Sequence, residues 1–267
     1  MSLFNPFSKI FGEKDFKKHV DQLFAEERIK PPLHSESRLR ASGLVAVCPR
    51  FEALRSKAGQ TVVEKLAPKT SRTFRLGRVW ENLFRDEVLG DAGIVLGKWS
   101  CMRCEHVPEE VKGRARYPKP KECGACGHSR FSFVEEKFID DDAGVEGHND
   151  GFLYWNNEYA ILELKTANAY NYSSLKVAPS ENHVGQVQIY MAMHRYQMAV
   201  IIYLNKDTSD LCYHWVPFNP KIAQSLLEKG RQIKRYFKDG TLPDRACINA
   251  VCQRAVKCAF VEECFKS

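Results

Sequence analysis

The chain has 267 residues, of which 44% are hydrophobic and 27% are charged, so it can bury a full core and is too apolar to be wholly disordered. Its 40 basic and 33 acidic residues leave a net charge of +7, which suits a nucleic-acid partner but is common in soluble proteins generally. No apolar run approaches the roughly 20 residues of a membrane-spanning helix, and the N-terminus lacks a secretory signal. We therefore expect no membrane association and a cytoplasmic location, in a bacterial cell or a phage-infected host.

The elements predicted along the chain contain no internal repeat. An N-terminal helical arm is expected over residues 1–40, and residues 41–98 begin the main domain with a helix around 76–88. Residues 99–130 form an insertion rich in cysteine, glycine, proline and basic residues, and residues 241–267 form a cysteine-rich tail. Residues 131–240 alternate strands and helices. These are strands at 131–138, 150–155 and 158–165, a loop at 173–179, a helix at 182–196, strands at 198–205 and 211–218, and a helix at 220–238 that ends at Gly240.

The segment 147–165, GHNDGFLYWNNEYAILELK, carries the strongest functional signal. Two strand-like runs flank Asn156-Asn157, and asparagine tolerates the left-handed backbone of a two-residue hairpin turn. With that turn Asp150 faces Glu163 on one side of the strand pair, with Cβ atoms roughly 4.5–5.5 Å apart. Lys165 follows Glu163 by two residues and shares that side. Because facing carboxylates repel, the hairpin predicts a metal site with a lysine beside it.

The cysteines indicate metal ligation rather than disulfides. The chain has ten, which is many for an intracellular protein, where disulfides are rarely stable. Cys101-x2-Cys104 and Cys123-x2-Cys126 have the spacing of a closed four-thiolate zinc site, which is structural and not catalytic. The basic loop KGRARYPKPK between the pairs suits phosphate contacts, with Tyr117 stacking on a base, or equally a solvated loop.

Four more cysteines lie in the C-terminal tail. Their spacing fits a second zinc site or an iron–sulfur site, because both take four thiolates. Spacing alone does not decide between the two. The tail cysteines are Cys247, Cys252, Cys258 and Cys264. Cys212 lies in a predicted strand and is interpreted as a buried core thiol.

Two further motifs flank the hairpin. Gly77-x3-Glu81 lies on the helix before it, and His183, Gln186 and Tyr190 fall at i, i+3 and i+7 on the helix after it. This order resembles the PD-(D/E)XK nuclease superfamily, and specifically its RecB-like branch, where a helical acid or histidine, GxxDG, ExK and QxxxY occur in sequence. RecB-like members usually carry histidine at the position of Glu81, whereas many other branches have glutamate.

The resemblance covers about residues 40–264 and implies an α/β fold, a restriction-endonuclease-like mixed sheet flanked by helices. It assigns the catalytic chemistry to Glu81, Asp150, Glu163, Lys165, Gln186 and Tyr190. The three carboxylates would hold Mg²⁺ or Mn²⁺, Glu81 directly or through water, and Lys165 would orient or help deprotonate the attacking water. Gln186 and Tyr190 would position the DNA backbone or support Lys165, and His183 is assigned with them to substrate binding.

Cys48, in the segment Cys-Pro-Arg-Phe, extends the resemblance to the iron–sulfur nucleases of that branch. In these proteins, the CRISPR-adaptation exonuclease family and the AddB nuclease domain, one cysteine precedes the nuclease core and three follow it. The resemblance implies a [4Fe-4S] cluster held by Cys48, Cys258, Cys264 and either Cys247 or Cys252. Cys247 is preferred because it follows the Pro243 loop, where the tail would return toward Cys48. Ala255 stands where the familiar tail has a cysteine.

The resemblance as a whole implies an exonuclease that hydrolyses DNA, single-stranded or with free ends, in recombination, repair or CRISPR-type processing. Recombination or replication proteins would be its partners. Residues 41–98 and 131–240 would form the nuclease, residues 99–130 a zinc-binding insertion and residues 241–267 the iron–sulfur tail. The alternative is a non-catalytic DNA-binding or adaptor module on the same fold. A redox or sensor iron–sulfur protein would leave the hairpin carboxylates without a purpose.

Overall fold

The computed structural model describes residues 13–266, which form a mixed α/β structure. The helices are α1 (Glu13–Leu23), α2 (Ala41–Ala46), α3 (Pro49–Lys57), α4 (Pro68–Asn82), α5 (Ala169–Leu175), α6 (Glu181–His194), α7 (Pro220–Asp239) and α8 (Val261–Lys266), and a π-helix (Leu83–Leu89) continues α4. The strands are β1 (Glu26–Lys30), β2 (Leu39–Arg40), β3 (Val62–Leu66), β4 (Val95–Cys101), β5 (Tyr117–Pro118), β6 (Phe131–Val134), β7 (Lys137–Asp140), β8 (Val145–His148), β9 (Gly151–Trp155), β10 (Glu158–Ala167), β11 (Met198–Asn205) and β12 (Leu211–Pro217). None of these described helices has the length and apolarity to cross a membrane.

Seven strands form the central sheet. Their order is β12-β11-β10-β9-β4-β5, and β6 also pairs with β4. The β10–β11 pair is parallel, whereas β9 and β12 pair antiparallel with β10 and β11, so the sheet is mixed. Since β10 lies in the middle and is covered on both faces, its residues are apolar in succession rather than in alternation.

The sheet separates two hydrophobic clusters. One face carries Ile161 and Ile201 and packs against α6, on which α2 and α7 pack in turn. The other carries Leu162 and Val200 and packs against Trp99 of β4 and the side chains of the π-helix. Two smaller sheets, β1-β3 and β2-β8-β7, lie beside the central one.

The predicted N-terminal helical arm is wrong beyond Leu23. Residues 1–12 lie outside the described residues, and α1 accounts for the next stretch. The following segment is strand β1, which pairs antiparallel with β3 and is joined to it by ion pairs such as Lys30–Glu64 at 3.1 Å. A partner more than thirty residues away therefore determines this segment, and helical periodicity could not reveal it.

The predicted strand 131–138 is two strands with different partners. β6 pairs with β4, whereas β7 pairs with β8, and the chain changes sheets at Glu135 and Glu136. Strand β8 was not predicted, because its four residues include glycine and histidine and its ladder depends on β7. Asp150 precedes β9 and is not part of it.

The second half otherwise follows the prediction closely. The helix at 182–196 and the strands at 198–205 and 211–218 are present as α6, β11 and β12. Helix α7 ends at Gly240 in the left-handed conformation, as predicted. The helix expected around 76–88 begins earlier, at Pro68. Part of the expected loop at 173–179 is helical, because the Asn168 side chain accepts from the Asn171 amide and starts α5.

Candidate functional site

The β9–β10 hairpin has the register that the sequence predicts. Asn156 and Asn157 both have positive φ, 50° and 64°, which produces a two-residue turn with Trp155 opposite Glu158. The ladder ends at the pair Gly151–Leu162, one step before Asp150.

Asp150 nevertheless reaches the neighbouring strand. Its Oδ2 atom accepts a hydrogen bond of 2.7 Å from the Leu164 amide, which fixes the carboxylate beside β10. Gly151 has φ +149°, and a Cβ there would lie 3.1 Å from Val95 Cγ1. Glycine at this position lets the chain bring Asp150 to the end of the ladder.

Asn149 supports this turn and was missed by the sequence reasoning. Its side chain is completely buried, and its Nδ2 atom donates to the Gly151 carbonyl at 3.1 Å. The bond spans Asp150 and holds the backbone on both sides of it. A buried amide next to a candidate metal ligand cannot be recognised from the sequence, because burial depends on the packing of the whole sheet.

Glu163 and Lys165 lie in the middle of β10 and contact each other. Glu163 is 1% exposed, and the Lys165 ammonium donates to its Oε1 atom and, at 3.3 Å, to the Leu164 carbonyl. The Oε2 atom of Glu163 is buried and has no hydrogen-bond partner within residues 13–266. An unpartnered buried carboxylate oxygen is costly, and a cation bound there would remove the cost.

The site contains more carboxylate groups than positively charged groups. Burial raises the pKa of Glu163 to about 8 and that of Glu81 to about 7, and it also raises the pKa of Asp150, although part of that side chain is exposed. Burial opposes the charge of Lys165, but Glu163 and Asp150 outweigh it and raise the pKa of the ammonium. One lysine thus faces three carboxylates.

Gly77 explains how α4 brings Glu81 to these residues. A Cβ at position 77 would lie only 2.9 Å from Thr166 Oγ1, so glycine allows the helix to approach β10 closely. Glu81 follows one turn later and shares a small recess with Lys165. The structure therefore brings Glu81, Asp150, Glu163 and Lys165 together from α4, the Asp150 turn and β10. No three of the carboxylate groups lie within 4.8 Å of one another, and Lys165 occupies Glu163 Oε1.

Arg85 is a second cation near the carboxylates, and the sequence offered it as a possible partner of Glu81. The π-helix turns its guanidinium inward, where it is 3% exposed, stacks on Phe133 at 4.6 Å and pairs with Asp86 at 2.8 Å. It also meets Glu135 at 3.4 Å. Its charge acts to lower the pKa of Glu81 and Asp150. Since Asp86 and Glu135 already face it, Arg85 does not neutralise the site.

The residues of α6 lie beneath the site and contact other side chains. Gln186 Nε2 donates to the Tyr190 hydroxyl at 2.7 Å, and both side chains are buried. This burial favours a supporting role over direct contact with a DNA backbone. His183 Nδ1 lies 2.9 Å from the Tyr203 hydroxyl, and burial, assisted by the charge of Lys165, lowers its pKa to about 4. His183 is therefore neutral at pH 7.

The four insertion cysteines form one compact group. All four sulfurs lie within 4.8 Å of one another, with Cys101–Cys126 and Cys104–Cys123 each at 3.6 Å. Sulfurs about 3.8 Å apart are expected around a tetrahedral zinc ion with bonds of about 2.3 Å. Within residues 13–266 no other set of three or more metal-binding groups is as compact. The arrangement can hold a metal ion.

We expect Cys123→Ser to lower the zinc content of the purified protein from about one equivalent to near zero, since a closed site needs all four thiolates. Without the ion, residues 99–130 should become a preferred site of limited proteolysis, because the thiolates would no longer hold the two loops together. Elemental analysis and timed proteolysis measure both effects. Cys212→Ser is the matched control, since its thiol is half-buried and donates to the Leu175 carbonyl. Retention of one zinc by Cys123→Ser would contradict the assignment.

The proposed stacking role of Tyr117 is wrong. Its ring is 1% exposed, its hydroxyl donates to the Pro108 carbonyl at 2.7 Å, and its own carbonyl accepts from the Trp99 indole. Two basic side chains of this loop are also paired, since Arg116 binds Glu136 and Lys119 binds Asp91. The pairing of β5 with β4 buries Tyr117. The segment has the composition of a loop, so its sequence did not predict this strand.

The C-terminal tail returns to the segment that contains Cys48. Cys48, Cys247, Cys258 and Cys264 line one cavity of about 340 Å³, whereas Cys252 is not among its lining residues. No three of these sulfurs lie within 4.8 Å of one another. As placed, they do not form the compact set that a single tetrahedral ion requires.

Basic side chains hold the tail against this segment. Arg50 donates to the Pro243 carbonyl at 3.0 Å and Arg254 to the Ala46 carbonyl at 3.0 Å, whereas Lys229, which belongs to α7, donates to the Val45 carbonyl of α2 at 2.7 Å. Phe51 and Phe260 pack edge to face at 5.5 Å. Positive charges near four thiols favour their deprotonation to thiolates. They therefore favour a bound metal group whose complex with the thiolates carries net negative charge.

No protein-family profile and no curated protein matches the sequence. Among solved structures, the chain is similar to SSO0001, with 17% identity, coverage of 84% of this chain and 86% of that chain, and a TM-score of 0.39. It is also similar to the alkaline exonuclease LHK-Exo from Laribacter hongkongensis, with 12% identity, coverage of 76% and 89%, and a TM-score of 0.45. LHK-Exo in complex with dAMP gives the same identity and TM-score, with coverage of 77% and 90%. These similarities are too low to identify a family.

Proposed function

We propose that the protein is a metal-dependent DNA nuclease of the PD-(D/E)XK kind, with a restriction-endonuclease-like sheet and an exonucleolytic mode of action. Residues 41–98 and 131–240 would form the nuclease, and its biological setting would be recombination, repair or CRISPR-type processing of DNA. The proposal depends most on Glu163, whose Oε2 atom is buried without a partner while Asp150 and Glu81 lie nearby.

The excess of carboxylates supports binding of Mg²⁺ or Mn²⁺. Hard divalent cations prefer oxygen ligands and retain open positions for water and phosphate. Asp150, Glu163 and Glu81 would hold the ion. Glu163 Oε2 is available, whereas Oε1 must exchange its bond with Lys165 for the metal. When bound, the ion would neutralise charge on the phosphoryl group and lower the pKa of a water molecule.

The chain's own residues supply the remaining steps. Lys165, released from Glu163, would orient the attacking water through its ammonium. Gln186 and Tyr190, joined by their hydrogen bond, would support Glu163 from α6. Asn149 would hold the turn that carries Asp150. His183, neutral and bonded to Tyr203, would contact substrate without adding charge to the site.

The cysteines would hold two structural groups. A zinc ion would join Cys101, Cys104, Cys123 and Cys126 in the insertion, residues 99–130. A [4Fe-4S] cluster would join Cys48, Cys247, Cys258 and Cys264 and fasten the tail, residues 241–267, to α3. Lining of the tail cavity by Cys247 supports its choice over Cys252.

The test is digestion of end-labelled linear DNA and closed circular DNA, single- and double-stranded, with Mg²⁺, with Mn²⁺ and with EDTA. We expect metal-dependent loss of the linear substrates and survival of the circles, because an exonuclease requires an end. Cutting of circles at the same rate would instead indicate an endonuclease. Binding of DNA with no cleavage under any metal condition would favour the non-catalytic DNA-binding module.

A further inference from the structure

Three arginines follow one another along α4 toward Glu81. Arg72, Arg75 and Arg78 are spaced by three residues, the spacing that keeps neighbours on adjacent parts of a helix surface, and Glu81 continues the series. At 1.5 Å per residue, the row from Arg72 to Glu81 is about 14 Å long. Because each three-residue step shifts the position around the helix by about 60°, the row winds half-way round α4 from Arg72 to Glu81, one of the candidate metal ligands.

Two of these arginines are available to a ligand. Arg72 is bound to Asp21 at 2.5 Å. Arg75 is exposed and lies over the Phe24 ring at 5.1 Å. Arg78 is exposed, and no hydrogen bond or ion pair reaches it from the described part of the chain. Arg72 thus has a counterion in Asp21, whereas neither Arg75 nor Arg78 forms an ion pair with a described residue.

The basic residues Lys229, Arg231 and Arg235 of α7, by contrast, already have partners within the protein. Arg231 pairs with Asp142 at 2.5 Å, and Arg235 pairs with Glu228. Lys229 donates to the Val45 carbonyl. Most of the positive charge of this helix is therefore paired within the protein. Its basic composition alone would overestimate its ability to bind nucleic acid.

Apolar side chains lie beside the arginines on the same helix. Leu76 is 62% exposed and Val79 is 65% exposed, and Leu83 follows one turn later. Trp80 and Phe84 continue this side into the recess that contains Glu81 and Lys165. A duplex presents phosphate and sugar outward and keeps its bases stacked. Apolar groups next to phosphate-binding groups therefore match the unstacked bases of a single strand.

We infer that α4 guides a single DNA strand into the active site. Arg75 and Arg78 bind successive phosphates, Leu76 and Val79 contact the bases, and the strand reaches the metal ligands at Glu81. This path deepens the proposed nuclease function and rests on it for its end point. Strand binding itself requires neither a metal ion nor an intact catalytic group.

The test measures binding of a labelled 20-nucleotide single strand, and of the duplex of the same length, to the full-length protein in EDTA across a range of KCl concentrations. For single-stranded DNA each phosphate contact contributes about 0.7 to the slope of log affinity against log salt concentration. Arg75→Ala/Arg78→Ala should therefore reduce that slope by about 1.4. Single-strand affinity should fall roughly tenfold or more near 0.1 M salt. Arg75→Lys/Arg78→Lys should retain most of the slope, because it keeps both charges.

The matched control is Arg235→Ala/Lys238→Ala, which removes two basic residues from exposed positions of α7 and should leave slope and affinity unchanged. Leu76→Ser/Val79→Ser should weaken single-strand binding at an unchanged slope. An unchanged slope in the arginine variant, or equal losses on single strand and duplex, would overturn the proposal. Cleavage assays with Mn²⁺ are run separately. A reduced slope without any wild-type cleavage would keep the strand path and reject the nuclease.

Discussion

Asp150→Asn is expected to reduce the rate of DNA cleavage by about 10³-fold or more while the protein remains folded. Asparagine keeps the shape of aspartate, and its Oδ1 atom can still accept from the Leu164 amide. It loses the negative charge that would bind the divalent ion, and such an ion contributes several kcal/mol to stabilising the transition state. Single-turnover cleavage of labelled linear DNA with saturating Mn²⁺ measures the effect.

The same variant should be more stable than the wild type in EDTA. Burial raises the pKa of Asp150, so the folded protein without metal disfavours the charged carboxylate, and the neutral amide relieves this cost. Mn²⁺ should raise the unfolding temperature of the wild type and have little effect on Asp150→Asn. A thermal unfolding series with and without Mn²⁺ therefore separates loss of metal binding from loss of folding.

Asp141→Asn is the control, because Asp141 is exposed and its side chain pairs with Arg38 at 2.7 Å. It should cleave DNA at the wild-type rate. Equal cleavage by the wild type and by Asp150→Asn would assign the activity to a contaminant and favour the DNA-binding module. A rate loss without any change in the Mn²⁺ effect on unfolding would remove Asp150 from the metal ligands.

The hairpin could be predicted from sequence because its determinants are local. Asn156-Asn157 fixes the turn, the turn fixes the register, and the register places Asp150 beside the strand that carries Glu163 and Lys165. The four insertion cysteines were predictable for the same reason, since each pair is brought together by a loop of two residues.

The surroundings of the hairpin were not predictable, because they come from distant parts of the chain. Arg85 approaches the carboxylates only because a π-helix turns it inward, and its partner Glu135 lies fifty residues away. Asn149 is polar and looks exposed in sequence, yet the sheet buries it completely. The prediction for Tyr117 was wrong in the opposite sense. An aromatic residue in a basic loop looks exposed, yet the pairing of the two-residue strand β5 with β4 buries it. Burial was the quantity that the sequence could not supply.

The second large effect is expected at the tail cavity. With the proposed [4Fe-4S] cluster bound, protein purified without oxygen should be brown and contain about four iron atoms per chain. Cys258→Ser should lose the iron and unfold at a temperature lower by about 10 °C or more. The reason is that the proposed cluster would join residues more than 200 positions apart, Cys48 and Cys264, and its binding energy would stabilise the folded state.

Cys247 and Cys252 form the decisive pair, because both lie in the tail but only Cys247 lines the cavity. Cys247→Ser should lose iron and the visible absorbance, while Cys252→Ser should keep both, and this comparison controls for the general effect of removing a tail thiol. The opposite result would exchange their roles. Stoichiometric zinc in the tail and no iron would reject the cluster. The contacts of Arg50 and Arg254 with backbone carbonyls involve no metal, so they would then hold the tail against α3 and α2.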